Sequence, residues 1–127
     1  MASTAPFKAT ALFLGVFALQ FTLAPQFLMD TNFNTPPKLD PWHLFIMRPF
    51  GILGLFLCYL LWNMDGSDKV FLALFNVVFS ASLPWYAHAT KDIKLPEHYV
   101  PTVGTVILAL WSCANALGGS DDKKKVK

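Results

Sequence analysis

Seventeen of the 18 Lys, Arg, Asp and Glu residues in this chain lie outside four apolar stretches: Ala9–Met29, Leu44–Asn63, Val70–Ala89 and Tyr99–Gly118. Only Arg48 falls inside one. Each stretch is roughly 20 residues long, enough for a helix rising 1.5 Å per residue to cross ~30 Å of hydrocarbon. Charged residues make up only 14% of the 127 residues, where a soluble domain carries about 25%. The pattern predicts an all-α integral membrane bundle of four transmembrane helices. Residues 1–119 form its single domain, and residues 120–127 a short charged tail.

The connections leave little room for soluble chemistry. The longest, Asp30–His43, is too short for a domain and holds Pro36-Pro37 and Asp40-Pro41, which favour extended, irregular backbone. The second, Asn63–Lys69, carries the turn signal Asp65-Gly66, with Ser67 or Asp68 available to cap the next helix. So short a link is expected to make the second and third spans antiparallel neighbours. Pro84, followed by Trp85-Tyr86, reads as a kink at an aromatic belt. Pro101 is expected in the first turn of the fourth helix, which Gly118-Gly119 stops. The first stretch reads as a retained helix rather than a cleaved signal. A cut after Thr22-Leu23-Ala24 would put Pro25 first, and the apolar run continues through Phe27-Leu28-Met29. No phosphate-binding glycine loop, nucleophile elbow, C-x-x-C pair or H-E-x-x-H helix occurs. A net charge of +2 without a basic stripe argues against a nucleic-acid partner.

In lipid, helices associate through small residues and interhelical hydrogen bonds. Each span offers a seam at spacings of three and four. These are Ala11, Gly15, Ala18, Thr22 and Pro25; Met47, Gly51, Gly54 and Cys58; Ala73, Asn76, Ser80, Leu83 and Ala87; and Thr102, Thr105, Leu108, Ser112, Asn115 and Gly119. The large Phe, Leu and Trp side chains fall mostly elsewhere, toward lipid. Asn76 and Asn115 are expected to be buried and to fix register, with a polar substrate site between the third and fourth spans as the alternative. Cys58 and Cys113 read as packing residues, because two span-embedded cysteines make no disulfide framework.

An even number of spans puts both termini on one side. That side holds Lys8, Lys69, Lys123, Lys124, Lys125 and Lys127 against Lys38, Arg48, Lys91 and Lys94 on the other, which favours cytosolic termini. Lys124 and Lys125 match a dilysine retrieval signal of the endoplasmic reticulum; a tail binding lipid headgroups explains them equally well. His43, His88 and His98 fall on the face away from the tail with Asp30, Asp40, Asp92 and Glu97, and Arg48 lies one turn inside on that side. An ionisable residue within a span is a functional candidate, so Arg48, Asn76, His43, His88 and His98 are the ligand or headgroup candidates. Arg48 equally has the reach to snorkel or to pair with Asp30 or Asp40. No metal-ligand spacing occurs, no metal site is assigned, and the sequence names no cofactor. A histidine-held tetrapyrrole would belong to the pigment alternative below.

At Arg48-Pro49-Phe50-Gly51-Ile52 and the turn Asp65–Lys69, the chain resembles the Erg28 family, small four-span endoplasmic reticulum proteins that scaffold sterol C4-demethylation enzymes. The resemblance runs from about Arg48 to Ala116, and Lys124-Lys125 matches the dilysine tail of some members. The chain departs from the family pattern at Pro49, where the family has Thr, and at Ser82-Leu-Pro-Trp85. The resemblance implies a scaffold whose partners are membrane lipid and other integral membrane proteins. The composition points to the same function, a non-catalytic membrane scaffold or accessory subunit. The alternatives are an accessory subunit of a pigment-bearing or respiratory complex, in another organelle membrane, and a small transporter or lipid-handling protein using Arg48 and Asn76.

Overall fold

The computed structural model describes residues 3–92 and 94–118. The charged tail, with Gly119, Lys124 and Lys125, lies outside the described residues. Five helices follow one another: α1 (Ala5–Leu23), α2 (Pro25–Asn32), α3 (Pro41–Asn63), α4 (Lys69–Thr90) and α5 (Leu95–Gly118). The described residues are all-helical apart from turns, loops and one isolated bridge at Phe33. α1, α3 and the His98–Gly118 part of α5 are long and apolar enough to cross a membrane, and α4 carries a shorter apolar stretch, Lys69–Trp85.

Prolines and polar caps set the ends. The expected first span, Ala9–Met29, is divided: Ala24 leaves the helical region (φ −141°, ψ 59°) and Pro25 opens α2. A proline ring clashes with helical backbone in the preceding residue, while its own fixed φ suits a helix start. α3 begins three residues earlier than expected, because Asp40 accepts the His43 N–H at 2.9 Å and Pro41 follows it. α3 then runs through Pro49, and α4 through Pro84. Lys91 stops α4 in the left-handed region (φ 59°), a common helix terminus. α5 starts at Leu95, so Pro101 is an interior residue rather than a first-turn one. In the second connection Gly66 supplies φ 89°, and Asp65 accepts the Ser67 N–H at 2.8 Å. The Ser67 side chain first, and then this backbone bond, hold the Asp65 carboxyl below its usual range.

The helices pack as two close pairs, α1 on α3 and α4 on α5, joined by a smaller α1–α5 contact. This corrects the expectation from the short Asn63–Lys69 link. α3 and α4 meet where Leu61 and Leu72 join Phe7 and Ala11 in a buried cluster, but they share no extended interface. A short link constrains two helix ends; side-chain fit decides which helices run together.

The fit of α1 on α3 is a backbone-close seam. A Cβ built on Gly51 would sit 2.7 Å from the Thr22 N and 2.8 Å from the Ala18 O. One on Gly54 would lie 3.1 Å from the Ala18 Cβ, and one on Gly15 3.9 Å from the Cys58 Sγ. Close approach of this kind replaces the hydrophobic drive that lipid removes. Across the smaller contact, a Cβ on Gly104 would come within 2.5 Å of the Phe13 ring.

Candidate functional site

Three features stand out above the packing: a buried polar junction, a knot of loops at one end, and an aromatic cavity beneath that knot.

Asn76 forms the junction. It is 1% exposed, and its amide donates to Thr10 Oγ1 on α1 at 3.0 Å and to Ser112 Oγ on α5 at 2.7 Å. The residue therefore ties the two helix pairs together. The seam pattern brings Ser112 to Asn76, but Thr10 is a partner the sequence analysis missed. It lies beside the Ala11–Ala18 seam rather than in it, and only its spacing of three and seven from Phe13 and Phe17 could have placed it on the α4–α5 side of α1. Thr105 is also buried, its hydroxyl donating to the Thr102 O at 2.8 Å. Ser80 is half-buried and donates to the Val77 O at 3.0 Å. Asn115 is not buried as expected. It sits half-exposed near the end of α5, its amide donating to the Ser3 O at 3.3 Å, so the two described chain ends meet.

The opposite end is knotted by Gln26 and Asp92. Gln26 donates to the Pro37 O at 3.0 Å and accepts the Leu39 N–H at 2.9 Å. Asp92 accepts from the Thr35 hydroxyl and, at 3.1 Å, from the Thr35 N–H, and its carbonyl accepts the Asn34 N–H at 2.9 Å. Lys94 closes the knot twice, from its N–H to the Asn32 O at 2.8 Å and from Nζ to the Asp30 O at 3.0 Å. The loop expected to be merely irregular is thus held at both ends by side chains.

Below the knot lies a cavity of about 320 Å³. Phe13, Phe17 and Phe21 line it from α1, Leu28 and Met29 from α2, and Phe79 and Leu83 from α4. Asn32, Phe33, His98 and Pro101 complete it. The three α1 phenylalanines do not simply face lipid, as the expectation for large side chains had it. They recur every four residues on one face and are only half-buried. His98 is 9% exposed, and its Nε2 is buried without a hydrogen-bond partner among the described residues.

The other sequence candidates are dispersed. Arg48 is exposed and makes no ion pair among the described residues, so pairing with Asp30 or Asp40 does not occur there. His88 is exposed on α4. His43 sits at the start of α3, its Nδ1 2.7 Å from Asp40 Oδ1. The His43 backbone N–H first, and then its ring, hold the Asp40 carboxyl below the usual carboxylate range. Cys58 and Cys113 are free and half-buried. Among the described residues no three His, Cys, Asp or Glu side chains gather where they could hold a metal ion.

No protein-family model matches the chain, and searches of curated proteins and of solved structures found no match either.

Proposed function

We propose that this chain is a four-span integral membrane scaffold or accessory subunit, non-catalytic, that binds other membrane proteins through the outer face of α3. The observation that carries this reading is the inequality among the helices. Only 11% of the apolar stretch of α3 is buried, against 28% in α1 and 22% in α5. Gly51 and Leu61 are its buried residues. Trp42, Phe45, Pro49, Leu53, Phe56 and Leu60 recur at spacings of three and four and are all exposed. This ridge presents large, rigid side chains on the face opposite the glycine seam, which suits it to packing against another membrane helix as well as against lipid.

α4 supplies the fourth span in this reading. Its 22 residues cover ~33 Å at 1.5 Å per residue. Both termini then share the cytosolic side, the orientation that the lysine distribution favours. The Lys124-Lys125 pair and the resemblance at Arg48–Ile52 support the endoplasmic reticulum as the membrane and its enzymes as the partners.

The test is purification from native membranes in mild detergent with an N-terminal tag, followed by mass spectrometry and a visible spectrum of the same sample. Stoichiometric membrane proteins that are lost from a Phe45→Ala/Phe56→Ala variant, with the chain still folded, support the proposal. A colourless protein that elutes alone overturns it, and so does capture that is indifferent to the α3 ridge. A visible chromophore would favour the pigment-bearing reading.

A further inference from the structure

We propose that the aromatic cavity under the loop knot is a binding site for a flat, uncharged hydrophobic molecule carrying a single hydroxyl, which hydrogen-bonds to His98. This site is separate from the α3 ridge and does not depend on partner binding.

The lining defines the body of the ligand. At about 320 Å³ the cavity is at the lower end of the ~300–1,000 Å³ of small-molecule sites. Five phenylalanines (Phe13, Phe17, Phe21, Phe33 and Phe79) contribute to it. Phe13 and Phe17 lie 5.2 Å apart at an interplanar angle of 57°, and phenyl rings tilted in this way accept a flat ring by edge or face. Among the described residues no Lys, Arg, Asp or Glu lines the cavity. Lys94, the residue just ahead of α5, spends its ammonium on the Asp30 O. Among these residues a charged headgroup would therefore find no counter-charge, and taking an unpaired charge out of water is costly.

His98 defines the polar end. A buried imidazole nitrogen without a partner is costly, and such an exception calls for an explanation. The His98 carbonyl is already engaged by the Thr102 hydroxyl at 2.8 Å and its N–H by the Lys94 O at 3.0 Å, so the backbone at this turn is satisfied and only the ring is not. In the proposed complex the ring turns about χ2, which is broad in histidine, to present Nε2 to the cavity that His98 lines. A hydroxyl both donates and accepts, so it satisfies the nitrogen in either tautomer.

The experiment uses the full chain with ¹⁵N-labelled histidine in lipid nanodiscs. The probes are 2-naphthol and 2-methylnaphthalene, which share a shape and differ in the hydroxyl, with concentrations expressed per lipid. The expected result is a saturable shift of the His98 Nε2 resonance with 2-naphthol while the exposed His43 and His88 stay still. Half-saturation should come at about tenfold lower concentration than for 2-methylnaphthalene, the scale of one hydrogen bond to a buried unsatisfied group. In His98→Phe, followed by the probes' own proton shifts, the preference should fall to near unity. The wild-type comparison decides the matter if that variant does not fold. A His98 resonance that does not move, that moves only in step with His43 and His88, or that answers both probes alike overturns the proposal.

Discussion

Replacing Gly51 by alanine tests the seam between α1 and α3 with a single methyl group. The new Cβ would lie 2.7 Å from the Thr22 N and 2.8 Å from the Ala18 O, both backbone atoms, where ordinary contact begins at 3.4 Å. Relief of these two contacts alone requires the helix backbones to part by about 0.6–0.7 Å, and the Thr22 hydroxyl, which lies nearer still, must also move. Thr22 cannot simply swing aside, since its hydroxyl donates to the Ala18 O at 2.8 Å. Overpacking of this kind costs about 1–3 kcal/mol. Loss of the Thr22 bond would add ~0.5–1.5 kcal/mol. Against this stands the helix-propensity gain of Gly→Ala, about 1 kcal/mol, which leaves a net destabilisation of about 0.5–3.5 kcal/mol. Gly15→Ala is the control, because its Cβ finds only the Cys58 Sγ at 3.9 Å and should leave stability unchanged or raised. Gly54→Ala, at 3.1 Å from the Ala18 Cβ, should fall between them. Reversible unfolding in mixed micelles, followed by circular dichroism, reads all three. Equal stabilities for Gly51→Ala and Gly15→Ala would refute the close-backbone account.

Two further perturbations probe other joints. Asn76→Leu removes both bonds to Thr10 and Ser112 and should destabilise the bundle by about 1–4 kcal/mol at ~0.6–2 kcal/mol per bond. In the same unfolding assay, a Thr10→Val change made in that background should then cost little more. Asp40 has its pKa lowered in the fold, so its contribution is present above the unfolded value near about pH 4 and is lost as pH falls through the folded value. Acidification into that range should speed amide exchange at His43, and Asp40→Asn, which keeps an acceptor without the titration, should flatten the response.

Much of the helical layout was legible because hydropathy and charge placement are local. The stretches expected at Leu44–Asn63, Val70–Ala89 and Tyr99–Gly118 lie within α3, α4 and α5. The break at Ala24 was obscured because the apolar run continues past Pro25, and hydropathy does not register a proline's steric demand on its neighbour. Helix pairing was not legible from the Asn63–Lys69 turn, since a tight connection fixes only where α3 ends and α4 begins. The partner of Asn76 was half legible: Ser112 follows from the seam on α5, whereas Thr10 depends on how α1 is rotated about its axis. The cavity escaped for the same reason. Phe13, Phe17 and Phe21 form a visible stripe, but only the packing of α5 against α1 at Gly104 turns that stripe inward. Among the sequence-named histidines, burial singles out His98, and position along the chain could not have done so.

The most direct test of the proposed membrane topology is the sidedness of α4. Single cysteines at Ser3, Ser67, Thr35 and Lys91, in a background lacking Cys58 and Cys113, are to be labelled with a membrane-impermeant thiol reagent in sealed vesicles. The account predicts that Ser3 and Ser67 label from one side and that Thr35 and Lys91 label from the other. Labelling of Ser67 and Lys91 from the same side would mean that α4 does not cross, and the four-span scaffold would be wrong.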